Sequence, residues 1–246
     1  NFRSEHFAYT QTPLTYDQLS GRPVITNSFP LLEFLWELGR MMHAQGDLVF
    51  ANGVHRNRRF HAFACDVAGV EGHADLEQKR AIAGTKPFLL LIYGIEDNPA
   101  EMERWFNECG LYGIYPAFGN LRAFATAADY APVAALNNRY VPVLRHATEA
   151  GWQPVTHVRS SDPQVWVERW GPSASGELYL TIYNSAATER AATLAVVAQP
   201  LGLRGTVRAA DELSQFAVTT PVVDGVAELL VEVPARRLMV LRLSSQ

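Results

Sequence analysis

Between Asp47 and Gly94 three apolar runs follow one another with polar residues at their ends, and this stretch leaves the chain few architectures to choose from. Leu48-Val49-Phe50-Ala51 stops at Asn52-Gly53. Phe60-His61-Ala62-Phe63-Ala64-Cys65 leads into Asp66 and then Val67-Ala68-Gly69-Val70-Glu71-Gly72. Pro87-Phe88-Leu89-Leu90-Leu91-Ile92-Tyr93-Gly94 is apolar almost throughout. Continuous apolar runs, unlike alternating ones, are expected of strands covered on both faces, as in a parallel sheet wrapped by helices. In such sheets chemistry sits where strands end, which singles out Asn52, Asp66 and Glu71.

The flanking pattern supplies the helices. Leu32, Leu35, Trp36, Gly39 and Met42 recur at helical spacing from Phe29 to Gln45, and Gly46 ends the run. Residues 75–83 form a second helix with acidic residues first and basic ones later, the order favoured by its dipole. Asn98 caps a third over Ala100–Cys109, with Pro99 at the first helical position. Leu111–Phe118 reads as a further strand, and a helix runs from about Pro132 to Glu149, with Gly151 ending it. The connection between the first two strands is too short for a helix of its own. This alternation predicts an α/β unit, the second half of a (β/α)8 TIM barrel.

From Trp152 onward the character changes to short strands: His157–Arg159, Val165–Trp170, Glu177–Tyr183, Ala191–Val197, Gly205–Ala209, Phe216–Thr220, Val226–Val233 and Arg237–Leu243. Turn-formers such as Pro172-Ser173, Asn184-Ser185 and Asp224-Gly225 separate them, the spacing of an antiparallel β-sandwich. The expected division is residues 1–154 for the barrel part and 155–246 for an all-β sandwich.

A length of 246 residues allows either one large domain or two. A net charge of −4 gives no electrostatic reason to expect nucleic acid or an anionic membrane as partner. No apolar run approaches the roughly 20 residues needed to cross a bilayer. The two cysteines, Cys65 and Cys109, suit neither a zinc site nor a disulfide framework and read as core thiols. The seven histidines show no metal-ligand spacing, and neither a phosphate-binding glycine loop nor a G-x-S-x-G elbow occurs, so no cofactor or metal is expected. The chain begins at Asn1 without an initiator Met and reads as a fragment, a processed chain or the downstream part of a longer product.

Paired carboxylates are the minimum equipment for cleaving a glycosidic bond. Asp66 and Glu71 are the candidate pair; each could instead cap a helix or pair with Arg56 or Arg58. Gly69 and Gly72 would allow an unusual backbone path around Glu71. Asn52 could hydrogen-bond a sugar hydroxyl or simply make its turn with Gly53. In the basic loop Gly53–Arg59, His55 and Arg56 could reach a polar ligand or form part of a solvated turn. Tyr9, Tyr93, Tyr112, Tyr115, Phe118 and Trp152 offer flat rings for sugar faces, Tyr93 foremost. The irregular first segment, with Glu5 and Tyr9, reads as a substrate loop. Candidate substrate-binding residues are therefore Asn52, His55, Arg56, Tyr93, Glu5 and Tyr9.

With these residues in place, the chain resembles a (β/α)8 glycoside hydrolase with a C-terminal β-sandwich, of the melibiase-like retaining α-galactosidase clan. The likeness is one of layout over nearly the whole chain. It is carried by Val49–Gly53, Asp66–Gly72, Ala150–Val155 and the closing stretch Val233–Leu241. It implies a carbohydrate substrate, a nucleophilic Asp at the end of the fourth barrel strand and an acid/base carboxylate at the end of the sixth. If Leu111–Phe118 is the eighth strand, Phe60–Asp66 is the sixth, which puts Asp66 in the acid/base region with Glu71 close behind. The fourth strand would then end just before Asn1, so either another chain or a lost N-terminal segment supplies the first half, or the fold is not a barrel of this type; the expected protein partner is an N-terminal half-barrel chain or a second copy in a homo-oligomer. By analogy the site of action would be secreted or periplasmic. A non-catalytic carbohydrate-binding or assembly protein of the same architecture is the competing expectation; a metal-dependent barrel hydrolase lacks its His/Asp ligand pattern.

Overall fold

The computed structural model describes residues 14–25, 28–54, 56–72, 75–95, 98–118 and 126–246. A small antiparallel hairpin, β1 (Leu14–Tyr16) with β2 (Pro23–Ile25), comes first. Then follow α1 (Ser28–His43), β3 (Phe50–Ala51), a 3-10 helix (Arg56–Ala64), β4 (Val67–Glu71), α2 (Leu76–Ala83), β5 (Phe88–Ile92), α3 (Pro99–Leu111), β6 (Ile114–Phe118) and α4 (Ala127–Ala150). Strands β3 to β6 form a parallel sheet in chain order, each next to its predecessor.

Helix ends follow local chemistry. The Asn98 side chain accepts from the Glu101 N–H, with Pro99 just inside the helix. Thr126 and Asp129 form a reciprocal capping box that starts α4 ahead of the expected Pro132.

Of the run Phe60–Cys65, expected to be a strand, Phe60–Ala64 belong instead to the 3-10 helix, and the strand begins only at Val67. The reason is periodic: Phe60 and Phe63 are exposed three residues apart, while His61, Ala62, Ala64 and Cys65 are buried, which matches three residues per turn rather than two. The end of this helix is held by the Lys86 ammonium, which donates to the carbonyls of Ala62, Phe63 and Cys65 at 2.7, 3.2 and 2.7 Å.

One face of the parallel sheet is covered. Ala68 and Val70 of β4 and Phe88, Leu90 and Ile92 of β5 are buried with Leu35 of α1, Ala83 of α2 and Trp105 and Cys109 of α3. The other face, which carries Phe50, Gly69, Leu89 and Leu91, stays partly open, and Phe50 is half exposed. Sequential parallel strands with α1, α2 and α3 on a single face have the arrangement of a partial (β/α) barrel rather than a doubly wound sheet.

The remaining strands are β7 (Trp152–Gln153), β8 (Val158–Ser160), β9 (Val165–Trp170), β10 (Leu178–Asn184), β11 (Arg190–Val197), β12 (Thr206–Asp211), β13 (Ala217–Val223), β14 (Val226–Val233) and β15 (Leu238–Ser245). They make one large curled antiparallel sheet in the order β7-β9-β10-β15-β12-β13-β14-β11-β8. Leu180 and Ile182 of β10 share its core with Leu194 of β11 and Leu229 and Val231 of β14. The sheet begins at Trp152, slightly upstream of residue 155.

Strand β10 is buried along its whole length because it serves two cores. Leu178, Leu180 and Ile182 face the inside of the curled sheet, while Tyr179 and Tyr183 pack with Phe106 of α3 and Tyr140 and Leu144 of α4. Polar groups at this junction are paired. Asn107 of α3 donates to Tyr140 and accepts from the Leu238 N–H at 2.9 Å, and Glu103 collects Arg237, Arg139 and the Tyr140 hydroxyl.

Candidate active site

Three neighbouring parallel strands end in a polar or aromatic residue followed at once by glycine. Asn52-Gly53 follows β3, Glu71-Gly72 closes β4 and Tyr93-Gly94 follows β5. All three glycines have positive φ, at 81°, 99° and 80°. This backbone region is open to glycine and costly for side-chain-bearing residues, so the chain leaves the sheet abruptly and the preceding side chain stands on the rim.

The rim side chains meet. The Asn52 amide donates to Glu71 Oε1 at 3.1 Å, while its own carbonyl oxygen accepts from the Gly53 N–H at 2.7 Å, which makes the turn expected of Asn52-Gly53. Tyr93 stands on the other side of Glu71; partial desolvation first, then the nearby Glu71 charge and hydrogen bonding toward it, hold the phenol above its ordinary range. Glu71 itself is exposed to solvent. Gly69 keeps a negative φ, contrary to expectation; a Cβ there would meet the Phe50 ring at 2.6 Å, so its smallness serves close packing.

Asp66 lies elsewhere. Because β4 starts at Val67, Asp66 stands before the strand and Glu71 at its end, about 16 Å apart at roughly 3.3 Å per residue. Asp66 Oδ2 receives His43 Nε2 at 2.8 Å and the Val49 N–H at 2.8 Å, and these bonds hold its carboxyl below the usual range. It therefore ties the end of α1 and the start of β3 to the N-terminal end of the sheet, the end that serves stability in barrel folds. The two carboxylates do not form a pair. His43 carries no local signature for this contact, since its partner is 23 residues away and chosen by packing.

The other aromatic candidates divide similarly. Tyr112 follows α3 at the N-terminal end of β6, Tyr115 bonds Thr148 at 2.6 Å, Phe118 packs on Phe106, and the Trp152 indole donates to Glu168 at 2.7 Å. Among the described aromatic candidates Tyr93 is the one at the rim beside Glu71. Glu5, Tyr9 and His55 lie outside the described residues, as does the side chain of Arg56. Cys65 and Cys109 are buried, and burial pushes both thiols up. Among the described residues no cluster of His, Cys, Asp and Glu is arranged to hold a metal ion, and no helix is long and apolar enough to cross a membrane.

Sequential parallel strands whose C-terminal ends share a rim, joined to a curled antiparallel sheet, define the fold class: part of a (β/α) barrel with a β-sheet domain, a fold found in solved structures. It is shared with α-galactosidase I from Mortierella vinacea, at a TM-score of 0.54 and 9% identity over 89% of this chain and 64% of that one. It is also shared with a candidate α-galactosidase from Bacteroides fragilis NCTC 9343, at a TM-score of 0.58 and 12% identity over 98% of this chain and 56% of that one. The chain thus spans less than two thirds of either structure, and at these identities the likeness is one of fold. No protein-family model and no curated protein sequence matches it.

Proposed function

We propose that the chain is the C-terminal part of a glycoside hydrolase, with β3 to β6 as the last four strands of a (β/α)8 barrel and the curled sheet as its C-terminal β-sandwich. In this reading β4 is the sixth barrel strand and Glu71 is the acid/base carboxylate. The observation that carries it is the convergence of Asn52 and Tyr93 on Glu71 at the sheet's C-terminal rim. Asn52 donates to the carboxylate and Tyr93 stands beside it, which would orient Glu71 while leaving it open to a substrate.

The chemistry would be a retaining displacement. Protonated Glu71 gives its proton to the departing glycosidic oxygen while a second carboxylate attacks the anomeric carbon. Ionised Glu71 then takes a proton from the water that releases the glycosyl group. The second carboxylate belongs to the first half of the barrel. That half would also cover Leu89 and Leu91 and pair with the edge of β3, because parallel sheets are normally covered on both faces. The natural substrate is a carbohydrate whose sugar and linkage the fold leaves open.

The test is Glu71→Gln in the protein joined to its complementary half-barrel. Cleavage of an alkyl glycoside should fall by about 10²–10⁴. An aryl glycoside whose leaving group departs without protonation should lose much less in the first step. Equal losses on both substrates, or full activity in the variant, would remove Glu71 from the acid/base role. Sugar binding without any turnover in the complete protein would favour a carbohydrate-binding or assembly role instead.

A further inference from the structure

At the opposite end of the sheet from Glu71, a cleft of about 300 Å³ opens between the last turns of α1 and the end of the 3-10 helix. Trp36, Arg40, His43, Phe63, Asp66 and Lys86 line it. Trp36 and Phe63 are 56% and 70% exposed, unusually open for such large rings. Helical geometry puts Trp36 and His43 on one flank of α1, two turns apart, so the indole and the His43–Asp66 pair address the same space.

The charges around the cleft decide what suits it. Lys86 has all three ammonium protons on backbone carbonyls, and Arg40 is forked onto Glu37 at 3.1 and 2.6 Å. With these cations engaged and the Asp66 carboxylate present, an anion finds repulsion and few free donors. An ammonium ligand would meet Arg40, His43 and Lys86. What remains is a carboxylate that uses only Oδ2 in its two hydrogen bonds, leaving Oδ1 as an acceptor beside two flat apolar rings. An acceptor for hydroxyl protons next to rings for C–H faces matches an uncharged polyhydroxylated ring, and the volume suits one such ring.

We propose that this cleft is a binding site for a neutral monosaccharide unit, separate from the rim around Glu71 and independent of any catalytic role there.

The experiment is an NMR titration of the ¹⁵N-labelled chain with methyl α-D-galactopyranoside and methyl α-D-glucopyranoside, with sodium phosphate and choline chloride as parallel probes. The readout is the Trp36 indole N–H together with the amides of residues 63–66. Saturable shifts with at least one sugar are expected, with a dissociation constant on the order of 1 mM, and none with phosphate or choline. Trp36→Ala and Phe63→Ala should each weaken binding about tenfold, with the remaining spectrum unchanged because both rings are largely exposed. Trp36→Phe should recover part of the affinity. Sugar shifts that fail to appear up to about 50 mM, that survive Trp36→Ala, or that are outmatched by phosphate or choline would overturn the proposal. Glu71→Gln should leave these shifts intact, so failure at the cleft and failure at the rim are read separately.

Discussion

The Asn52 side-chain amide donates to Glu71 Oε1 across 3.1 Å, from the end of one parallel strand to the end of the next. Tyr93 stands beside the same carboxylate, at the end of the strand on the other side, and the Glu71 charge helps to hold its phenol above the ordinary range. Asn52→Ala and Tyr93→Phe each remove one polar neighbour and leave the carboxylate in place. In the proposed hydrolase, joined to its complementary half-barrel, each should therefore lower kcat by about tenfold, well short of the Glu71→Gln loss. Steady-state kinetics on a single alkyl glycoside would rank the three, and a Tyr93→Phe loss equal to that of Glu71→Gln would reverse the assignment of roles.

Gly72 turns the chain out of the sheet directly after Glu71. Its φ of 99° is disfavoured for other residues, although no atom lies within 4 Å of where a Cβ would be. Gly72→Ala should cost about 1–2 kcal/mol of stability from backbone strain alone. Its effect on kcat should exceed what a population of unfolded protein explains, because the strain is relieved by turning Glu71 away. Comparing denaturant midpoints with kcat separates these effects.

Asp66 makes stability depend on pH. Its folded-state carboxyl is held below the ordinary value by His43 and the Val49 N–H, so the charged form is the one that the fold favours. The resulting stability is fully present above the unfolded pKa of about 4 and is lost as pH falls through the lower folded value. Asp66→Asn should accordingly be less stable than the wild type at neutral pH by about 1 kcal/mol, with the gap closing below pH ~4. Urea titrations at several pH values would measure this, and a gap that persists undiminished at low pH would rule out the carboxylate as its source.

Arg80 is a structural cation. It is 1% exposed and donates to the carbonyls of Tyr112, Gly84, Lys86 and Gly113 at 2.8, 2.6, 2.9 and 3.1 Å, with its guanidinium 5.4 Å from the Trp170 ring. Burial lowers its pKa to about 10, which still leaves it charged at neutral pH. Arg80→Met fills the space and strands four carbonyls, for a loss of about 3 kcal/mol or more. Chemical denaturation should show it, and Arg80→Lys should recover only part, since one ammonium cannot reproduce the guanidinium's fork.

Much of the architecture was legible because it rests on local patterns. The eight expected strands of the curled sheet are present, since alternation and turn residues act over a few neighbours; its two-residue β7 escaped notice, as did the β1–β2 hairpin in the first segment, whose sequence reads as an irregular loop. Asn98-Pro99 placed the start of α3 for the same reason. Rim positions had a local mark as well: Asn52, Glu71 and Tyr93 each precede a glycine that turns the chain out of the sheet.

What the sequence by itself determined, then, was the order of elements and the apolar character of the parallel strands on both faces. Leu89 and Leu91 are as apolar as Phe88, Leu90 and Ile92, yet only the latter three are fully covered. Tertiary structure alone decided which carboxylate stands at the rim. Six residues, Phe60 to Cys65, fit a strand or a tight helix equally well by composition, and the choice was made by burial against α1 and by Lys86 closing the helix end. That choice moves Asp66 to one end of β4 and leaves Glu71 at the other. Its neighbours Asn52 and Tyr93 then arrive through the register of parallel strands, a long-range relation that no short stretch of sequence encodes.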